Sequence, residues 1–206
     1  TREEARASLG VGSDEVAILL LGTVCERKGQ HDLALALRDL PPSAAERVRC
    51  FIVGDRPGEY STRLSQLVAA LPAAVRARVA VVPEMHEPGR YYRAADLFVC
   101  CSRIESYPRV ILEAMAARLP IVSTPVFGIR EQVQEGVNGL FYPPGQPPAL
   151  ARSLAELVLD DARRREMGER SLAVLAGLTS FEQMVDAYAE LFREAYASGG
   201  APLERR

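Results

Sequence analysis

The chain has 206 residues, 48% hydrophobic and 25% charged, with a net charge of −2. That is enough for one domain with a real core or two small ones, and it lacks the basic excess of a general nucleic-acid or membrane-surface binder. The longest apolar run, residues 16–21, is far too short to span a membrane, and the first residues do not have the pattern of a secretion signal.

In chain order, a short polar helix leads into a wholly apolar strand at 16–22 (VAILLLG). Apolar residues at helical spacing follow over 30–40 and stop at Pro41–Pro42. A second strand spans 49–54 and a helix 59–71, halted by Pro72. A third strand at 79–82, a short helix at 89–95 and a fourth strand at 96–101 come next. The pattern continues with a helix at 108–118, a strand at 120–123, a helix at 129–135, a turn at 136–139 and a brief strand at 140–142. Two or three helices occupy 148–197, and residues 198–206 (SGGAPLERR) read as a flexible tail.

Apolar strands alternating with helices predict an α/β fold: a Rossmann-like open parallel sheet of about six strands covered on both faces. Such sheets bind ligands outside the carboxyl ends of their strands. The loops that matter are therefore 22–29, 54–59, 83–88, 101–108 and 124–129.

Cys25, Cys50, Cys100 and Cys101 form no CxxC pair and read as small core hydrophobes in a reduced, cytoplasmic compartment. His31 and His86 stand in no ligand spacing, so no metal is expected. Lys28 is the only lysine among 25 Lys and Arg residues. Codon bias accounts for the arginine excess. It leaves two readings of the surviving lysine: chance, or a site that requires a compact ammonium.

Residues 105–113, ESYPRVILE, carry a carboxylate at each end of an apolar stretch. Pro108 suits the first position of a helix, with Ser106 as a candidate cap. Glu105 then lies in the loop before that helix, and the free N–H groups of the helix start form an anion site. Glu113, about 7.5 Å further along the axis, suits the vicinal hydroxyls of a ribose. The alternative is an ordinary surface pair with Arg109, one turn earlier. In the first loop, GTVCERKGQ, Arg27 and Lys28 fall at a helix start, where positive charge opposes the helix dipole but complements a diphosphate. The loop matches neither a Walker motif nor the dinucleotide GxGxxG. In the loop after the fifth strand, Gly128 permits an irregular backbone, and Glu131 favours the helix start or serves a site.

GTVCERKGQ, IVGD, YYRAADLFV, the two Glu of SRIESYPRVILEAMA, LPIVST, FGIRE, EGVNGLFYPPG and FEQMVDAYAELF occur in this order over residues 10–196. In this order they resemble the C-terminal, donor-binding domain of retaining glycosyltransferases of family 4, which have the two-domain GT-B fold. The resemblance implies one domain over 1–197. Its terminal helix, 180–197, would pack on an acceptor-binding N-terminal domain that this sequence does not contain, and would expose apolar surface here. It implies that Lys28 and Arg27 contact the donor diphosphate and that Glu105 binds sugar hydroxyls at the reacting carbon. Phosphate would be held around Tyr107, Pro108, Arg109 and Val110, and ribose by Glu113. The nucleobase would lie near Pro83, Glu84 and Met85, and the sugar beside Ser106, Phe127 and Gly128. No metal or other cofactor is implied; the co-substrate is a nucleoside-diphosphate sugar, and any peripheral membrane association would come through the other domain.

The chain departs from the family pattern at two points. Thr23 stands where many relatives have Arg, in a loop one residue shorter, and Phe127 stands in place of a first Gly. The isolated chain is expected to bind donor weakly and transfer nothing. The rival readings are a nucleotide-sugar epimerase of the same fold and a non-catalytic nucleotide-sugar-binding module. A NAD-dependent oxidoreductase is disfavoured by the missing glycine fingerprint.

Overall fold

The computed structural model describes residues 1–197, so the expected tail at 198–206 lies outside the described residues. The chain divides into two compact units, Thr1–Ala176 and a second one starting at Gly177.

The first unit is built on six parallel strands in the order β3-β2-β1-β4-β5-β6. They are β1 (Val16–Leu21), β2 (Val48–Asp55), β3 (Val79–Pro83), β4 (Leu97–Cys100), β5 (Ile121–Ser123) and β6 (Gly139–Phe141). The expected Rossmann-like open sheet is present. β1, β2 and β4 run through the middle of the sheet and are almost wholly buried, which is why they read as unbroken apolar runs. β3 is an edge strand and is only half-buried.

Period-two alternation sorts each strand between two layers. Ile18, Leu20, Cys50, Ile52, Leu97 and Val99 share one core with α2 (Gln30–Arg38), α4 (Glu59–Ala69) and α9 (Pro147–Leu159). On the other face Phe51 meets Tyr91 edge-on at 5.5 Å, and Phe98 stacks with Tyr92 at 6.0 Å. Both tyrosines belong to α6 (Gly89–Ala94). α7 (Arg109–Ala116) buries Ile111 and Met115, and α10 (Asp161–Ala176) packs against it. α1 (Arg2–Ser8) is tied down by Asp96, which accepts hydrogen bonds from Arg6 (2.7 Å) and from the backbone N–H of Ala17 (2.8 Å) and pairs with Arg2.

Several boundaries differ from the sequence expectation. The prolines that end two helices also start two more, α3 (Pro42–Ala45) after Pro41 and α5 (Ala73–Arg76) after Pro72. α8 (Ile129–Gln132) stops three residues short, because Val133 takes an extended conformation and Asn138 Oδ1 accepts the N–H of Gln134 instead. Three of the four cysteines are buried, and Cys25 is half-exposed in a loop. No described helix is long and apolar enough to cross a membrane.

The second unit contains α11 (Phe181–Ala197), which buries none of its described residues. Phe181, Val185, Tyr188, Leu191, Phe192 and Tyr196 are all exposed.

Candidate functional site

The strand order reverses between β1 and β4, which places the loops that follow these two strands side by side at the switch point of the sheet. The chain joins them by backbone. The N–H of Arg103 donates to the carbonyl of Arg27 at 2.8 Å. Gly29, at φ 67°, lies so close to the second loop that a Cβ there would sit 2.2 Å from the Cys101 carbonyl oxygen. Only glycine meets both conditions. Gln30 is fully buried and turns the first loop back: its Nε2 donates to the Thr23 carbonyl at 3.0 Å and its Oε1 accepts from the Cys25 N–H at 3.3 Å.

Lys28, Arg27 and Glu105 meet where the loops join. Lys28 Nζ pairs with Glu105 Oε1, which also accepts Arg27 Nη1 at 2.8 Å and Ser102 Oγ at 3.3 Å. Glu105 is only 8% exposed. Burial pushes its carboxyl up, but the hydrogen bond and charge of Lys28, together with Arg27, outweigh that and hold it below the usual glutamate range. All three of these donors converge on Oε1. The result is a buried carboxylate with two cations on one side, one of which, Arg27, is half-exposed.

The loop after β5 closes against the same segment. Gly128 presses on it so tightly that a Cβ would lie 1.7 Å from the Ser106 carbonyl oxygen. The Thr124 hydroxyl donates to the Ser102 carbonyl, and Gln132 Nε2 donates to the Pro108 carbonyl at 3.2 Å. Phe127, beside Gly128, is 68% exposed and sits at φ 45°, a conformation non-glycine residues rarely adopt.

Two details of ESYPRVILE need correction. Pro108 is extended (φ −69°, ψ 118°) and serves as the N-cap, so α7 begins at Arg109. Ser106 makes no cap: no side chain caps this helix, so the first N–H groups of α7 have no side-chain partner. The surface pairing of Glu113 with Arg109 is also absent among the described residues. Glu113 Oε2 instead accepts the Tyr92 hydroxyl at 2.7 Å. Burial, and then this bond, push the Tyr92 phenol well up, so it stays a donor. Glu113 is otherwise exposed.

At the sheet edge, the Glu84 N–H donates to the Asp55 carbonyl at 3.0 Å and the Glu84 side chain pairs with Arg56. Met85 and Arg90 line a shallow surface pocket beside it. The structure thus brings Lys28, Arg27 and Glu105 into contact and leaves Pro83 at the end of the outer strand, with Glu84 and Met85 in the loop that follows it. Sequence reasoning missed Tyr92, Ser102 and Gln30. All three lie inside the quoted YYRAADLFV, SRIESYPRVILEAMA and GTVCERKGQ, but as neutral side chains they carry no pattern that marks them out. Among the described residues no cluster of three or more His, Cys, Asp or Glu is placed to hold a metal.

The open six-stranded, Rossmann-like parallel sheet with its covering helices matches the fold of GT-B glycosyltransferase structures. Residues 1–173 match the family described as Glycosyl transferases group 1, and the chain belongs to that family. It is 33% identical over 186 residues to the lipopolysaccharide core biosynthesis glycosyltransferase LpsE of Rhizobium meliloti, covering 90% of this chain and 52% of that protein. It is 35% identical over 194 residues to a D-inositol 3-phosphate glycosyltransferase of Xylanimonas cellulosilytica, covering 92% and 46%. Among solved structures, Anabaena Alr3699/HepE in complex with UDP superposes with a TM-score of 0.83 at 26% identity, covering 94% of this chain and 52% of that one. Sucrose-phosphate synthase from Thermosynechococcus elongatus gives 0.82 at 27%, covering 96% and 49%. The chain spans about half the length of these relatives.

Proposed function

We propose that this chain is the donor-binding half of a retaining, family 4 glycosyltransferase that moves a hexose-type sugar from a nucleoside diphosphate to a hydroxyl acceptor in the cytoplasm. The observation that carries this reading is the Lys28–Arg27–Glu105 cluster at the switch point, next in chain to an α7 start with no side-chain cap. Related chains add support: HepE is described in complex with UDP and with UDP-glucose.

In this reading the cations of Lys28 and Arg27 stabilise the charge that grows on the departing diphosphate, and no metal is required. The N–H groups of Tyr107, Arg109 and Val110 receive phosphate oxygens; Pro108 contributes only its fixed geometry. Glu105 accepts sugar hydroxyls. Glu113, held on one oxygen by Tyr92, offers the rest of its carboxylate to ribose. Ser106, Phe127 and Gly128 bound the sugar, and the base lies toward Pro83, Glu84 and Met85. The acceptor and further catalytic groups come from an N-terminal domain of the same protein, on which the apolar face of α11 packs.

Calorimetric titration of the chain with UDP, GDP and ADP, beside Glu113→Ala, tests the site. One diphosphate is expected to bind preferentially and to lose about 1.5–3 kcal/mol in the variant, the worth of hydrogen bonds to a charged group. Equal binding by both proteins would remove Glu113 from the site. The chain alone is expected to transfer nothing, so sugar transfer by it to a saccharide acceptor would contradict the two-domain reading.

A further inference from the structure

Asp32 lies in the first turn of α2, is 3% exposed, and belongs to no part of the site described above. It holds two other segments together. Its Oδ1 accepts Arg103 Nη2 at 3.3 Å, and its Oδ2 accepts the Gly145 N–H, from the loop after β6, at 3.1 Å. Arg103 is two residues before Glu105, and its own N–H holds the carbonyl of Arg27. One buried carboxylate therefore ties the loop that carries Glu105 to the turn before α9, and it grips that loop at Arg103, the residue whose backbone N–H holds the loop of Arg27 and Lys28.

We infer that Asp32 is a positioning residue for the donor site, acting through Arg103 to set Glu105 against Arg27 and Lys28. This rests on the reading of those three residues as the donor site. An apolar side chain at this helix position would pack against the core without desolvating a charge. Desolvation raises the Asp32 carboxyl above the usual aspartate range despite the nearby charge of Arg103, the Gly145 N–H and the charge of His31. A group whose pKa rises on folding stabilises the fold at low pH, and that contribution is lost as pH rises through the folded pKa. The carboxylate is thus held in place by its two partners rather than by burial, and those partners belong to the loops beside the site.

The test compares the unaltered chain, Asp32→Asn, Arg103→Gln, Arg103→Lys and the Asp32→Asn/Arg103→Gln double variant. Each is titrated with whichever of UDP, GDP and ADP the unaltered chain binds, and melted at neutral pH. Asp32→Asn and Arg103→Gln are each expected to weaken binding roughly ten- to a hundredfold, the loss that follows when the partners orienting a metal ligand are removed and taken as the scale for a positioned side chain. The double variant should be no weaker than either single one. Arg103→Lys, which keeps the charge, should retain most of the binding, and Asp32→Asn should melt no lower than the unaltered chain. Unchanged binding in Asp32→Asn overturns the inference. So does a binding loss matched by a fall in melting temperature, which marks a merely structural role, or additive losses in the double variant. Failure of the unaltered chain to bind any of the three diphosphates overturns the donor-site reading itself, and the inference with it.

Discussion

Glu105 and Lys28 are each mostly withdrawn from solvent, so their charges depend on one another. Lys28→Met is expected to lower stability by roughly 1.5–3 kcal/mol, because it strips a charged hydrogen bond from a carboxylate that stays buried. Urea denaturation measures this, and a loss below about 0.5 kcal/mol would mean that Arg27 suffices. The pH dependence has a defined sign. The cations hold the Glu105 carboxyl below its ordinary value, so its contribution is present above the unfolded glutamate range, about 4.3, and is lost as pH falls through the folded value. Stability of the unaltered chain relative to Glu105→Gln should therefore be level from neutral pH to about 5 and shrink below that. A difference that grew on acidification would contradict the ion-pair account.

The site exists because loops from separate strands touch through bare backbone. Gly29→Ala brings a Cβ against the Cys101 carbonyl in a left-handed conformation, which costs about 2–5 kcal/mol from strain and overpacking together. Denaturation should show that loss, and titration a parallel loss of diphosphate binding; an alanine variant stable to within 1 kcal/mol would mean the loops are free to part. This level of organisation was only partly legible in the sequence. The strands were, because central parallel strands bury both faces and read as continuous apolar runs. The helices opening after Pro41 and Pro72 were not, because a proline that ends one helix is equally suited to open the next. Nor was the Lys28–Glu105 contact: the partners stand 77 residues apart, and only the strand order brings them together. The Tyr92 partner of Glu113 was hidden for the same reason, since a tyrosine at helical spacing looks like any core aromatic.

At the scale of the whole molecule, the main cluster of buried apolar residues lies in the first unit and runs from Val16 to Met167. A chain ending at Ala176 is expected to melt in one cooperative transition and to keep the diphosphate affinity of the longer chain; a broad, non-cooperative melt would show that the core needs more than these residues. The order β3-β2-β1-β4-β5-β6 also has a consequence for how the chain acquires its site. β1 gains one neighbour from the next strand in the chain, β2, but its other neighbour, β4, only after β3 has also been made on the far side of β2. That pairing closes a long loop and is correspondingly slow. Arg27 and Lys28 follow β1 and Glu105 follows β4, so a nascent or half-folded chain holds the cations without the carboxylate. If the cluster holds a nucleoside diphosphate as proposed, its capture is a late event in folding, and a diphosphate added during refolding is expected to slow unfolding without hastening folding.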